Sequence, residues 1–124
     1  MEKSEIVIDG KEYVLKSSVK NFEKRPVSRK GLIYAIVRSY SSGVFAGYVG
    51  RVENRQAKVY DARRLWYWDG AASLSQLSQE GVKRPQNCKF PRTVPEVLLT
   101  DIAEVIPATD VAKKSIDGVA IWQQ

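Results

Sequence analysis

The amino-acid sequence predicts an α+β protein, in which a strongly bent antiparallel β-sheet of about six to seven strands carries two short α-helices. Short runs rich in β-branched and aromatic residues, separated by turn residues, predict the strands. The small residues Ala46, Gly47 and Gly50 interrupt one run, which is typical of a strong bend or a close approach by another group. Two later stretches combine capping residues with helical spacing of apolar side chains, and they predict the helices.

Length and composition indicate a small globular protein. Its 124 residues are 44% hydrophobic, enough to bury the core of one domain. We divide the chain into an N-terminal β-hairpin and basic linker over residues 1–30 and a single α+β ligand-binding domain over residues 31–124. The hairpin covers residues 5–15. The basic stretch over residues 16–31 is interpreted as a solvated linker rather than a phosphate-binding arm, because aromatic residues are nearly absent from it.

The residue counts exclude several function classes. The chain has no histidine, which removes the usual proton shuttle near neutral pH, the commonest metal ligand, and catalysis by Ser-His-Asp or Cys-His groups. One cysteine, Cys88, can form neither an internal disulfide nor a cysteine-based zinc site. We therefore expect a binding protein rather than an enzyme, with no catalytic residues, no metal site and no cofactor.

Charge and hydropathy indicate the partners and the compartment. Twenty Lys and Arg residues against 14 Asp and Glu residues give a net charge of +6, which favours anionic partners such as nucleotides, nucleic acid or acidic proteins. No apolar run is long enough to span a membrane, and the N-terminus lacks the apolar segment of a secretory signal. We expect a cytoplasmic protein without membrane contact.

Apolar stretches predict the strands of the main domain: residues 32–40, 44–52, 57–60, 63–68 and 96–106. Residues 41–43 form a turn between the first two strands, and Asp61-Ala62 forms a break or a bulge. The last stretch also fits helical spacing, but its flanking β-branched residues favour a strand.

Capping residues predict a helix over residues 71–80 and another over residues 109–117. Each helix has an N-terminal residue that can accept a backbone hydrogen bond and a glycine at its end. These residues are Asp69 and Gly81 for the first helix, and Thr109 and Gly118 for the second.

The clearest functional signal is the cation–aromatic stretch over residues 61–81. Arg63 and Arg64 run directly into the triplet WYW at residues 66–68. Aromatic rings stack on nucleobases, and guanidinium groups hold phosphate. On the residues alone, core packing is the slightly favoured explanation, because tryptophans anchor cores and arginines lie across rings.

Strand alternation divides this stretch into two faces. Arg64, Trp66 and Trp68 fall on one face, and Arg63, Leu65 and Tyr67 fall on the other. We expect Leu65 and Tyr67 to face the core, which leaves a cation beside two indoles on the other face.

Three motif stretches resemble a family of small phage proteins: YAIVRSYSSGVFAGYVG, then DARRLWYWDGAASLSQLSQEGVKRPQNCKF, then EVLLTDIAEVIPAT with KKSIDGVAIW. The resemblance covers residues 33–122. Within that group the chain is similar to the Thoeris anti-defence 1 proteins. The N-terminal hairpin lies outside the resemblance.

The resemblance implies a sponge made by a bacteriophage in the cytoplasm of its infected bacterial host. Such a protein binds cyclic ADP-ribose isomers made by TIR-domain immune enzymes and does not cleave them. Some members also bind the cyclic oligonucleotides of CBASS defence, so cyclic di- or trinucleotides are further expected ligands. The resemblance also implies a homodimer or a higher homo-oligomer.

A ligand built from adenine, two riboses and two phosphates assigns expected roles to individual residues. Phosphate is held by Arg38, Arg63, Arg64 and Lys89, and the base stacks on Phe45, Tyr48, Trp66 or Phe90. Ser73 and Asn87 hydrogen-bond ribose or base edges, Tyr40 shares a face with Arg38, and Gly43 and Gly47 let the backbone approach the ligand.

Other functions compete with this one. A nucleic-acid binder is supported by the positive charge and the aromatic residues, and it is the less favoured reading. An inhibitor that docks on a host protein would bind no small ligand. A nucleotide-cleaving enzyme would need a metal held by carboxylates.

Overall fold

A computed structural model describes residues 28–124. The predicted hairpin over residues 5–15 and most of the basic linker lie outside the described residues. Within them the chain adopts the predicted α+β class. The strands are β1 (Ser28–Arg29), β2 (Leu32–Ser39), β3 (Gly43–Val49), β4 (Ala57–Arg64), β5 (Val94–Leu99) and β6 (Ile102–Pro107), and the helices are α1 (Leu74–Glu80) and α2 (Asp110–Asp117).

The antiparallel sheet is strongly curled because β5 and β6, which pair at its two opposite edges, are joined by a short corner. Strands β2, β3, β4 and β5 pair in that order, while β6 pairs with the other side of β2. These antiparallel pairings make β5 and β6 run in the same direction, and only Thr100 and Asp101 separate them. The single long strand predicted over residues 96–106 is therefore a strand with a corner at its middle.

The two faces of the curled sheet carry separate cores. One cluster contains Ile36, Phe90 and the inward residues Leu77 and Ile116 of the two helices. The other contains apolar residues from β2 through β6, as expected for the face that a curled sheet encloses: Ala35, Val37, Phe45, Val49, Ala57, Val59, Ala62, Leu99 and Ile102. Successive side chains of β2 and β3 point to opposite faces, so each strand contributes residues to both clusters. This explains why β2 is apolar on both faces.

Strand β4 confirms the predicted bulge and corrects the predicted strand after it. The predicted strands over 57–60 and 63–68 belong to one strand, in which Asp61 and Ala62 lie opposite the single residue Gly47. Asp61 has a positive φ of 50°, and this conformation produces the extra residue of the bulge. The strand ends at Arg64, so the prediction of a strand through residue 68 was wrong.

The helix boundaries follow the local capping chemistry. Thr109 caps α2 by accepting the N–H of Ala112, and Gly118 ends the helix, as predicted. Helix α1 ends at Gly81 as predicted but begins later than expected, because Ser73 rather than Asp69 accepts the N–H of Gln76. The predicted N-cap Asp69 instead accepts hydrogen bonds from the side chains of Arg84 and Asn87, in the loop after α1.

Position 47 requires glycine because atoms of β4 lie where a Cβ would be. A Cβ at this position would lie 2.6 Å from the Cγ1 of Val59 and 2.8 Å from the backbone oxygen of Tyr60. The close approach expected at this position is therefore made by the bulge of β4, and Gly47 offers no open backbone to a ligand.

We expect Gly47→Ala to lower the free energy of unfolding by about 1–3 kcal/mol, because backbone atoms cannot move away from the added methyl group. The matched control is Gly50→Ala, whose Cβ meets only the flexible end of the Leu32 side chain. Urea unfolding of both variants checks this expectation. Equal loss in the two variants would contradict the role given to the bulge.

Candidate functional site

The neighbouring arginines at the end of β4 have opposite surroundings. Arg63 is 6% exposed and lies under the sheet on the helix side. Its Nε donates to the carbonyl oxygen of Pro91 at 2.9 Å, and Nη1 donates to that of Ile116 at 2.8 Å. Its Nη2 donates to the carbonyl oxygens of Phe90 and Val119 at 3.0 and 2.7 Å. Arg63 is therefore held by four backbone carbonyl oxygens, and only a small part of it borders a hollow that is also lined by Arg92 and Asp117.

The buried charge of Arg63 is balanced by the groups around it. Desolvation lowers the pKa of its guanidinium, and the nearby carboxylate of Asp117 opposes that shift. The acceptor Ile116 belongs to the last turn of α2, where the helix dipole is negative. Arg63 thus stays charged and connects β4 to α2 and to the segment that follows it.

Arg64 lies on the opposite face and forms one wall of a pocket. Phe45 is its direct partner across β3 and β4, and the guanidinium carbon lies 4.3 Å from the centroid of that ring. Its Nη1 donates to the carbonyl oxygen of Ser42 at 2.5 Å. The pocket has a volume of about 290 Å³ and is lined by Ser42, Gly43, Val44, Arg64, Leu65, Trp66 and Trp68.

The chemistry of this Arg64 pocket suits a flat anion. Stacking on Phe45 and the bond to Ser42 hold the guanidinium in one place. The side chain therefore loses little conformational entropy when a ligand binds. Ser42 takes one of five N–H groups, and the rest of the fork is available for charge-assisted hydrogen bonds. Trp66 lines the same pocket and is 65% exposed, so its indole is open to a ligand.

Backbone conformation shapes the opposite wall of the pocket. Gly43 begins β3 with a φ of 93°, and a Cβ built there would meet no atom within 4 Å. The left-handed conformation explains the glycine, and the open space agrees with its place in the pocket wall.

The alternation predicted for residues 63–68 is partly confirmed. Arg64, Trp66 and Trp68 line one pocket together, and Leu65 is buried in the helix-side core as expected, although it also borders this pocket. Tyr67 is 50% exposed, so the expectation that it faces the core was wrong. The chain leaves the sheet after Arg64, and Tyr67 pairs with Lys89 in an isolated bridge instead.

Three of the aromatic residues expected to stack on a base are buried: Phe45, Tyr48 and Phe90. Phe45 supports the guanidinium of Arg64, so it acts from beneath the pocket. Tyr48 packs edge-on against Tyr34, with 5.4 Å between ring centroids. Phe90 lies in the helix-side core. None of the three offers a free ring face to a ligand, so Trp66 is the one predicted stacking residue whose ring is exposed.

Two polar residues of the predicted site have structural partners. Ser73 caps α1. Asn87 donates its Nδ2 to the Oδ2 of Asp69 at 2.8 Å, and Arg84 bonds the other carboxylate oxygen. Hydrogen bonds from Arg84 and then from Asn87 hold the pKa of Asp69 below its usual value. This cluster closes the loop after α1 and lies beside a second, polar hollow that shares Trp68 with the Arg64 pocket.

The remaining predicted residues lie on the surface outside the Arg64 pocket. Arg38 pairs with Glu104 at 2.8 Å, and its guanidinium carbon lies 5.8 Å from the ring centroid of Tyr40. The Nζ of Lys89 lies between two rings, 5.9 Å from the centroid of Tyr67 and 5.7 Å from that of Trp122.

Sequence reasoning missed four lining residues of the pocket: Ser42, Val44, Leu65 and Trp68. The alternation that grouped Trp68 with Arg64 was a sufficient signal for that residue. Ser42 and Val44 join the pocket because the pairing of β3 with β4 places the turn between β2 and β3 beside Arg64.

Two further features of the described residues bear on the site. Within residues 28–124, no group of three or more carboxylate or cysteine side chains is close enough to hold a metal ion. Across the same residues, neither helix is long and apolar enough to cross a membrane.

The fold and the pocket define a small α+β protein, with a curled antiparallel sheet and a cation–aromatic pocket where β4 ends. The chain belongs to the family described as "Domain of unknown function (DUF6948)", whose model matches residues 32–116. Neither the curated proteins nor the solved structures include a match to it.

Arginine and lysine substitutions separate the roles of the two arginines. We expect Arg63→Lys to lower the free energy of unfolding by roughly 3 kcal/mol, because one ammonium group cannot satisfy four separated carbonyl oxygens. Arg64→Lys should cost about 1 kcal/mol, since only one part-buried hydrogen bond and the contact with the Phe45 ring are changed. Chemical denaturation measures both values, and a larger loss for Arg64→Lys would refute the assignment.

The Asp69 cluster predicts a sensitivity to acid. Because the pKa of Asp69 is depressed in the folded protein, its contribution to stability is present above the unfolded pKa of about 4 and is lost as the pH falls through the folded value. Thermal unfolding from neutral pH to about pH 2 should show a shallower acid decrease for Asp69→Asn than for the unchanged protein. Identical slopes below about pH 4 would disprove this role.

Proposed function

We propose that the protein binds and sequesters, without cleaving, the cyclic ADP-ribose isomers made by TIR-domain immune enzymes. The observation that carries the proposal is the Arg64 guanidinium, held against Phe45 and Ser42 beside the exposed indole of Trp66. The resemblance to the Thoeris anti-defence 1 proteins supplies the identity of the ligand and the setting, the cytoplasm of a phage-infected bacterium.

The pocket chemistry supports each part of such a ligand. Adenine is flat and stacks on an indole, a contact worth about 1–3 kcal/mol per base. A phosphate oxygen pairs with the guanidinium of Arg64. The open backbone at Gly43 admits the ribose ring, because no Cβ occupies that wall.

The size of the pocket supports a site shared between subunits. At about 290 Å³, the pocket is at the small end of those that enclose a small molecule. Tight capture requires most of the ligand surface to be buried, and Trp66 stays largely exposed in the single chain. A second copy of the chain that covers Trp66 would enclose the ligand, in line with the homodimer or higher oligomer that the resemblance implies.

Capture without turnover is consistent with the composition of the chain. A sponge needs no proton shuttle, and the sequence has no histidine. Cyclic dinucleotides and trinucleotides carry the same bases and phosphates, so they are the next ligands to examine if cyclic ADP-ribose does not bind.

A second candidate function is binding of single-stranded nucleic acid. The specific observation that favours it is Lys89 lying between the rings of Tyr67 and Trp122, because such surfaces combine stacking with phosphate attraction. Salt distinguishes the two functions. Affinity for an oligonucleotide should fall steeply between about 50 and 200 mM salt, while a ligand enclosed in a pocket should lose less.

Calorimetry with a TIR-made cyclic ADP-ribose tests the main proposal. We expect Arg64→Ala to weaken binding by roughly 30-fold, because a charge-assisted hydrogen bond is lost. Trp66→Ala should weaken it by about tenfold or more, because the stacking contact is lost. The matched control is Arg38→Ala, which removes another arginine that contacts an aromatic ring but lies outside the pocket.

The fate of the ligand completes the test. After heat denaturation of the complex, chromatography should return the cyclic ADP-ribose intact. Linear ADP-ribose in its place would show cleavage and reject sequestration. Absence of binding by the unchanged protein would refute the cyclic ADP-ribose proposal.

A further inference from the structure

The turn that forms one wall of the Arg64 pocket is anchored to a carboxylate outside the pocket. Asp101 lies in the corner between β5 and β6. Its Oδ1 accepts the hydroxyl proton of Ser39, and its Oδ2 accepts the backbone N–H of Ser41 at 2.9 Å. Its backbone carbonyl accepts the N–H of Tyr40 at 3.1 Å. One residue of the corner therefore holds three successive residues of the turn.

Ser39 extends this anchor to the pocket wall. The residue is 3% exposed, and its Oγ accepts the backbone N–H of Ser42 at 3.1 Å. The direction of both bonds is fixed, because an amide N–H can only donate and an ionised carboxylate can only accept. The Ser39 hydroxyl therefore donates to Asp101 while it accepts from Ser42, and successive bonds of this kind strengthen one another.

Ser42 is the residue that holds the guanidinium of Arg64. Its carbonyl oxygen accepts the Nη1 of Arg64, while its own N–H is held by Ser39. Hydrogen bonds on both sides of Ser42 thus set where its carbonyl lies. The guanidinium of Arg64 also lies over the ring of Phe45. Because that ring is buried, it cannot move together with the guanidinium if the guanidinium shifts.

We propose that Asp101 is a positioning residue for the ligand-binding arginine, acting through Ser39 and Ser42 to fix the carbonyl that holds Arg64. The role in binding rests on the proposed function, whereas the link from Asp101 to Arg64 exists whichever ligand binds. Hydrogen bonds from Ser39 and then Ser41 keep the pKa of Asp101 below its usual value, so the carboxylate is ionised at neutral pH.

The first experiment needs no ligand. In ¹H–¹⁵N spectra of the free protein, the Nη protons of Arg64 should give separate signals, because its contacts with Ser42 and Phe45 restrict rotation of the group. Asp101→Ala should merge or broaden these signals. Ser39→Ala, which keeps the Asp101 carboxylate and its bond to Ser41, should have the same effect and serves if Asp101→Ala does not fold. The matched control is Glu104→Gln, a neighbouring carboxylate that pairs with Arg38 instead, and it should leave the signals unchanged.

The second experiment measures affinity for the TIR-made cyclic ADP-ribose in a double-mutant cycle. Asp101→Ala should weaken binding by about tenfold when Arg64 is present, the amount expected for disturbing one charge-assisted hydrogen bond. It should have almost no effect in the Arg64→Ala background, because the group on which it acts is gone. A residue that only stabilises the fold would lower the unfolding temperature without this dependence on Arg64.

The two experiments fail in different ways. Unchanged Arg64 signals in both Asp101→Ala and Ser39→Ala would overturn the positioning role, whatever the affinities are. Equal losses of affinity with and without Arg64 would also overturn it, because Asp101 would then act by another route. Altered signals in a protein that does not bind cyclic ADP-ribose would support the positioning role and reject the proposed function.

Discussion

The buried guanidinium of Arg63 is the interaction on which the arrangement of this protein depends. Its donors reach carbonyl oxygens in the loop before β5, in the last turn of α2 and in the segment after that helix. The loop before β5 is far in sequence from the other two segments, and four directed hydrogen bonds fix its position relative to them. Burying the charge is unfavourable, and the protein offsets this with four backbone carbonyl dipoles and the nearby carboxylate of Asp117.

The position of Arg63 also determines the face of the sheet on which Arg64 lies. Because side chains alternate along β4, holding Arg63 on the helix side turns Arg64 to the other face, directly across from Phe45. The strand ends there, and the following residues bond to Val44 and Lys89 instead, in an arrangement that places Trp66 and Trp68 at the same pocket. A structural arginine and a candidate ligand-binding arginine thus come from one pair of residues, and the first orients the second.

How far the sequence predicts this arrangement depends on how local each contact is. Thr109 and the bulge at Asp61 were predicted correctly, because capping and bulging involve neighbours in the chain. Asp69 was assigned the wrong role, because its partners come from the loop after α1 and outcompete the helix N-terminus. Alternation separated Arg63 from Arg64, but only the tertiary contacts of Arg63 show which of them is enclosed.

The same reasoning explains why the pocket wall could not be predicted. The turn between β2 and β3 meets the corner at Asp101 only because one bent strand joins both edges of the sheet. Two strand pairings bring together the turn, the corner and the end of β4: Ser39 lies opposite Ile102, and Phe45 lies opposite Arg64. The turn supplies the carbonyl of Ser42, the end of β4 supplies the guanidinium of Arg64, and the corner supplies the carboxylate that anchors the turn. These pairings join residues far apart in the chain, so the alternation within each strand could not reveal them.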